Sequence, residues 1–183
     1  IDGKALRLRT NQDAIEAGIA YVSEDRLTMG LVLDQPIAAN AVVTILQQLA
    51  GKLGLIDPKA RQSTVDHWVK ELTIKVSDTE NAVRTLSGGN QQRVVLAKWM
   101  ARKPRVLILD SPTVGVDVSA KDGIYEIVKQ LAAEGVAVIM ISDEIPEVLY
   151  HSHRILVMRS GKITGAHQPT QTSEHDLMVA VNA

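Results

Sequence analysis

The chain contains no cysteine and no phenylalanine, and its only rings besides histidine are two Trp and three Tyr, 3% of 183 residues. Without Cys there is no disulfide, no thiolate metal site and no cysteine nucleophile, which fits a reducing compartment. With so few rings, the core has to be built from Val, Ile, Leu, Ala and Met, which supply most of the 45% hydrophobic content. No apolar run approaches the ~18 residues of a membrane span, and no basic-then-apolar leader opens the sequence. The expectation is a chain that neither crosses nor is addressed to a membrane by itself. A net charge of −1 with no basic block leaves nothing to neutralise phosphate backbones, so no nucleic-acid partner is expected.

What is present suits one α/β domain with a sizeable core. Residues 1 to about 26 read as a short strand, a helix from Gln12 to Ala17 closed by Gly18, and the strand IAYV ending at Ser23. The middle is mostly helical: Ala38 to Leu49, Pro58 to Leu72 with Pro in its first turn, and Asn90 to Arg102. From Arg105 the periodicity alternates between strand (105–109, 136–141, 154–159, 162–166) and helix (119–133, 144–151), the rhythm of a largely parallel sheet. The boundaries expected are an α/β core over 1–30 and 104–166, a helical subdomain over 31–103, and a tail over 167–183 whose Ser-x-x-Asp start reads as a helix cap.

Two segments carry chemistry. In Leu86-Ser87-Gly88-Gly89-Asn90-Gln91-Gln92, a hydroxyl and two glycine amides stand where an amphipathic helix begins, an arrangement that holds phosphate with help from the helix dipole. Taken alone, Ser-Gly-Gly is also an ordinary turn and cap. In Arg105-Val106-Leu107-Ile108-Leu109-Asp110, a buried-type strand ends on a carboxylate, the edge at which open α/β sheets take ligands.

Together these segments resemble the signature loop and Walker B strand of ATP-binding cassette (ABC) ATPases, whose fold is a P-loop NTPase-like, mostly parallel sheet with a helical subdomain. The wider wording, GIAYVSEDRLTMGLVL, IAAN, LSGGNQQRVVLAKWMARKPRVLILD, PTVGVDVSAK and VIMISDEIPEVL, resembles the second, C-terminal cassette of tandem ATPase subunits of bacterial importers of ribose and similar sugars. The likeness runs from Ile1 to about Gly165. It implies ATP and magnesium as cofactors, a second cassette in the same polypeptide or a dimer mate as partner, and transmembrane permease subunits docked near residues 31–60. It also implies a place at the inner, cytoplasmic face of the cell membrane.

Residue by residue, the resemblance implies that Asp110 holds magnesium through water, that Ser87, Gly88, Gly89, Asn90 and Gln91 face a partner's ATP, and that Asp117 lies in a D-loop along the cassette interface. Asp117 also reads as an N-cap of the helix that follows. Glu24 stands where the family's Q-loop glutamine is usual. Two positions depart further. Ser111 occupies the place of the water-activating Glu, and an uncharged hydroxyl with a pKa far above 7 cannot serve as that base. Asp143 occupies the place of the switch histidine, where an anion repels phosphate. The pair predicts a degenerate hydrolytic site.

No Gly-Lys in the sequence completes a P-loop: Gly3-Lys4, Gly51-Lys52 and Gly161-Lys162 lack both the earlier Gly and the following Ser/Thr. The sequence thus reads as a piece without the Walker A part, inactive alone, whose contribution is the signature, given in trans. The alternative is a non-catalytic ABC-like interaction or regulatory domain. A DNA-repair or chromosome-organising ATPase would need a long heptad coiled coil, which is absent. The signature loop is expected at the surface, where substitutions such as Gly88→Asp leave the fold intact.

Overall fold

The computed structural model describes residues 1–51 and 53–182, which form two compact units, 1–139 and 140–183. In the first, helix α1 (Asn11–Glu16) starts at Thr10, whose hydroxyl accepts from the Asp13 amide while Asp13 reaches back to the Thr10 amide, a reciprocal capping box. It ends at Gly18, whose φ of +78° suits a residue without a Cβ. The Gly18 carbonyl then accepts from both Arg105 and Val106, joining the start of strand β1 (Ile19–Val22) to that of β2 (Val106–Asp110). The strand expected before α1 does not form; residues 4–9 are irregular and exposed.

The two strands pair in parallel, Tyr21 opposite Ile108 and Val22 opposite Leu109, and β3 (Ala137–Ile141) lies on the other side of β2. Side chains alternate across the sheet as the pleat requires. Ala20, Val22, Leu107 and Leu109 are buried, whereas Tyr21 and Ile139 on the opposite face are exposed. The run VLILD is therefore fully covered on one face and only partly covered on the other.

Between β1 and β2 the chain builds a helical layer. A π-helical turn (Arg26–Gly30) precedes α2 (Ile37–Val42), a 3-10 turn (Val43–Ile45) and α3 (Leu46–Leu49). The expected continuous helix from 38 to 49 is thus broken at 43–45. Helix α4 (Pro58–Glu71) has its proline in the first turn and Asp57 as cap, accepting from the Lys59 amide. Helix α5 (Gly88–Met100) is the hub: Val94, Val95, Leu96 and Ala97 are all buried, and it packs on α2, α4 and β1. Buried Asn40 in α2 pins the loop before it, accepting from the Val32 amide at 2.8 Å and donating to the Val32 and Pro36 carbonyls. Helix α6 (Val118–Ala133) adds Ile124, Val128 and Leu131 to the core shared with the sheet and α5.

The second unit has its own small core of Leu149, Ile155, Val157 and Leu177. Helix α7 (Ile145–His151) and helix α8 (Glu174–Asn182) pack on the antiparallel hairpin β4 (Ile155–Arg159) and β5 (Lys162–His167). The cap expected of α8 forms, with the Ser173 hydroxyl accepting from the Asp176 amide and Asp176 accepting from the Ser173 amide.

Candidate functional site

The sheet edge and the start of α5 bring most of the sequence-identified residues into the first unit. Asp110 is the last residue of β2, and its Oδ2 accepts a 2.7 Å hydrogen bond from the Tyr21 hydroxyl. Ser111, immediately after, has φ +46°, a left-handed conformation that a side-chain-bearing residue takes at a cost of about 1 kcal/mol or more. The backbone reverses here: the Ser111 carbonyl accepts from the Val114 amide and that of Thr113 from the Val116 amide. Gly115 sits in this turn at φ +64°. The turn delivers the chain to α6 with Asp117 at the N-cap, but the Asp117 side chain makes no capping bond and is exposed. Glu24, just past β1, is also exposed.

The signature segment is tightly tied. Ser87 is the N-cap of α5 in extended geometry, exposed, and its hydroxyl accepts from the Asn90 side-chain amide at 3.1 Å instead of capping the helix. Asn90 accepts in turn from the Lys75 amide at 2.9 Å, and buried Gln91 donates to the Leu86 carbonyl at 3.1 Å. Asn90 and Gln91 thus turn inward and hold the loop. The amides of the first turn stay directed out of the helix, as in any helix start.

Both glycines of the segment are required by packing, which the sequence does not reveal. A Cβ on Gly88 would lie 2.6 Å from the Gly115 carbonyl oxygen and 2.9 Å from Nη2 of Arg26. A Cβ on Gly89 would lie 2.9 Å from the Ala120 methyl in the first turn of α6. The expectation that a side chain at Gly88 leaves the fold intact is therefore corrected: the site is a three-way contact among α5, the 111–117 turn and Arg26.

Arg26 is the residue that sequence reasoning missed. It follows Glu24-Asp25 and reads as one more solvated charge, yet it is only 8% exposed. Its Nη1 donates to the Val114 carbonyl at 2.6 Å and its Nη2 to the Gly115 carbonyl at 2.8 Å, while buried Nε has no partner. Burial draws its pKa below the ordinary arginine value. Its single sequence signal is position, a cation closing the VSEDR segment next to an apolar turn.

In the second unit, Asp143 is exposed in the loop before α7, where the Ser142 hydroxyl accepts from the Glu144 amide at 3.0 Å.

The donor set suits nucleotide chemistry in part. A carboxylate at the carboxyl end of a parallel strand suits a hydrated magnesium ion, and the start of a 13-residue helix suits an anion.

Comparison with known proteins agrees with this architecture. A dimeric ATP-binding cassette, MJ0796, in a post-hydrolysis state bound to ADP and Pi, superposes with a TM-score of 0.71 at 20% identity, covering 88% of this chain and 68% of that one. The ribose import ATP-binding protein RbsA of Chromobacterium violaceum is 47% identical over 180 residues, which is 98% of this chain and 36% of the relative. The xylose import ATP-binding protein XylG of Geobacillus kaustophilus is 44% identical over 178 residues, 97% of this chain and 35% of the relative. The chain spans about a third of the length of these relatives. The family model described as ABC transporter matches residues 1–114, more than half of the sequence, and so this chain belongs to the ABC transporter family.

Proposed function

We propose that this chain is the signature-bearing part of the second cassette of a bacterial importer ATPase for ribose or a related simple sugar. Its Ser87-Gly88-Gly89 edge closes over ATP held by a partner cassette. The observation that carries this reading is the surface presentation of Ser87 at the start of α5, with the backbone behind it fixed by Asn90, Gln91 and the 111–117 turn. The names of the relatives supply the sugar class.

In this reading Asp110, its carboxylate oriented by the Tyr21 hydroxyl, would hold a hydrated magnesium ion, which would supply positive charge against phosphate. The cassette's own water-activating position is Ser111, whose hydroxyl orients but does not deprotonate water. Asp143 adds no donor for phosphate. Asp117, exposed at the start of α6, faces the partner cassette, and Glu24 takes the Q-loop place. Permease subunits meet the surface around residues 31–60, where Val32, Leu53 and Leu55 are exposed apolar side chains, at the inner face of the membrane.

A second reading, a non-catalytic ABC-like interaction domain, is favoured by one observation: Gly88 and Gly89 are demanded by packing whether or not phosphate ever approaches them. ATP-driven sugar uptake into vesicles by the full-length subunit carrying Ser87→Glu separates the two. Loss of uptake with an unchanged melting temperature is the outcome for a working signature, and full uptake is the outcome for an interaction domain.

A further inference from the structure

A buried guanidinium on two successive backbone carbonyls is an uncommon way to place a charge. Arg26 leaves the end of the Glu24-Asp25 segment, passes inward, and ends on the Val114 and Gly115 carbonyls. Its fork geometry matches two neighbouring acceptors, which a point-like ammonium cannot do. Desolvating a cation without a carboxylate partner is unfavourable, and its Nε has no acceptor at all. The location compounds the cost. The guanidinium stands behind Gly88, at the start of α5, where the helix dipole already places positive charge. Two like potentials meet at one point, an arrangement that an anion in front of Gly88 relieves.

We propose that Arg26 is a positioning residue of the signature. It locks the 111–117 turn against the first turn of α5, so that Ser87-Gly88 meets nucleotide and Asp117 meets the partner cassette from one rigid edge, and its charge reinforces that edge from behind. This rests on the reading of the signature as a phosphate contact. The lock explains why Gly88 and Gly115 must both lack a side chain: a Cβ on either would enter the guanidinium's space, at 2.9 and 3.2 Å from Nη2 respectively. It also explains why Ser111 is held at a positive φ, since the turn it opens is fixed from its far end.

The test uses the full-length subunit and three variants. Arg26→Met removes fork and charge, Arg26→Lys keeps the charge without the fork, and Ser87→Glu places a like charge before phosphate while leaving Arg26 untouched. Amide hydrogen exchange, without nucleotide, is read at Gln91, Val114 and Val116, whose amides bond to Ser87, Ser111 and Thr113. Arg26→Met is expected to speed exchange in both segments together and to lower ATP turnover about tenfold or more. Arg26→Lys is expected to loosen both segments similarly with a smaller loss of turnover, because the charge survives. Exchange that is unchanged, or changed only at 114 and 116, overturns the lock. If both segments loosen while turnover stays normal and Ser87→Glu abolishes it, the positioning role is overturned and the signature reading stands. If none of the three variants, Ser87→Glu included, touches turnover, the signature reading itself falls.

Discussion

The hydroxyl of Tyr21 donates to the carboxylate of Asp110 across the β1–β2 pair, two residues along the register from its direct partner Ile108. Both side chains stand on the exposed face of the sheet, as their shared parity with Ile108 requires. The bond holds one oxygen of the carboxylate. It also raises the pKa of Tyr21, since ionising the phenol would break the bond and set two anions side by side. A group whose folded pKa is raised stabilises the fold fully below its unfolded pKa, here ordinary tyrosine, and loses that contribution as pH rises through the folded value. Phenolate absorbance, taken as the difference between the parent and Tyr21→Phe, is therefore expected to titrate above ordinary tyrosine. Asp110→Asn should return it toward normal. A normal midpoint in the parent would show that the bond does not persist in solution.

Gly88→Ala and Gly89→Ala should each destabilise the fold by about 1–3 kcal/mol, the range for forcing a methyl into filled space. The atoms they would meet, the Gly115 carbonyl and the Ala120 Cβ, belong to or sit directly on backbone and cannot swing away. Ser87→Ala, at an exposed position, should stay within roughly 0.5 kcal/mol of the parent. Urea titration of the three variants checks this. Equal midpoints for all three would mean that the junction is looser than its geometry indicates.

Ser111→Gly should stabilise the fold by about 0.5–1 kcal/mol, because glycine enters the left-handed region without a Cβ penalty but gives back part of the gain as unfolded-state entropy. Ser111→Glu keeps the strain and, on the proposed reading, would put a base after Asp110. On the proposed reading, in which Asp143 stands where a phosphate donor is usual, its turnover gain in the full-length subunit should remain less than severalfold. Steady-state phosphate release measures it. A large gain would mean that Ser111 was the sole defect.

The elements from Pro58 onward were legible because their periodicity agrees with their caps: Pro58 in a first turn, Ser173 paired with Asp176, Asp110 closing an apolar strand. The break at 43–45 was not, since Val43, Thr44 and Ile45 continue an apolar run that fits a helix as well as a turn. The open face of the sheet was hidden for a similar reason, because Val106, Leu107, Ile108 and Leu109 are uniformly apolar and cannot report which of them is covered. Ser87, Asp110 and Ser111 were singled out by resemblance to the family's motifs, and the structure places Ser87 at the start of α5 and Asp110 and Ser111 at the end of β2. Arg26 could not be singled out: its role depends on two carbonyls about ninety positions away in sequence, and backbone acceptors leave no residue-type trace. For the same reason Gly88 and Gly89 read as phosphate contacts or as an ordinary turn and cap, and the close packing that also selects them stayed hidden.

Ser87 is proposed to meet nucleotide bound to another cassette, and the absence of cysteine in this sequence allows that contact to be tested directly. A Ser87→Cys substitution gives this segment a single thiol, to be paired, in an otherwise cysteine-free full-length subunit, with a second cysteine in the partner cassette's phosphate-binding loop. Disulfide formation between the two is then measured with and without Mg-ATP. The crosslink is expected to form readily with Mg-ATP and slowly without it; no crosslink under either condition, or one indifferent to nucleotide, would overturn the signature reading.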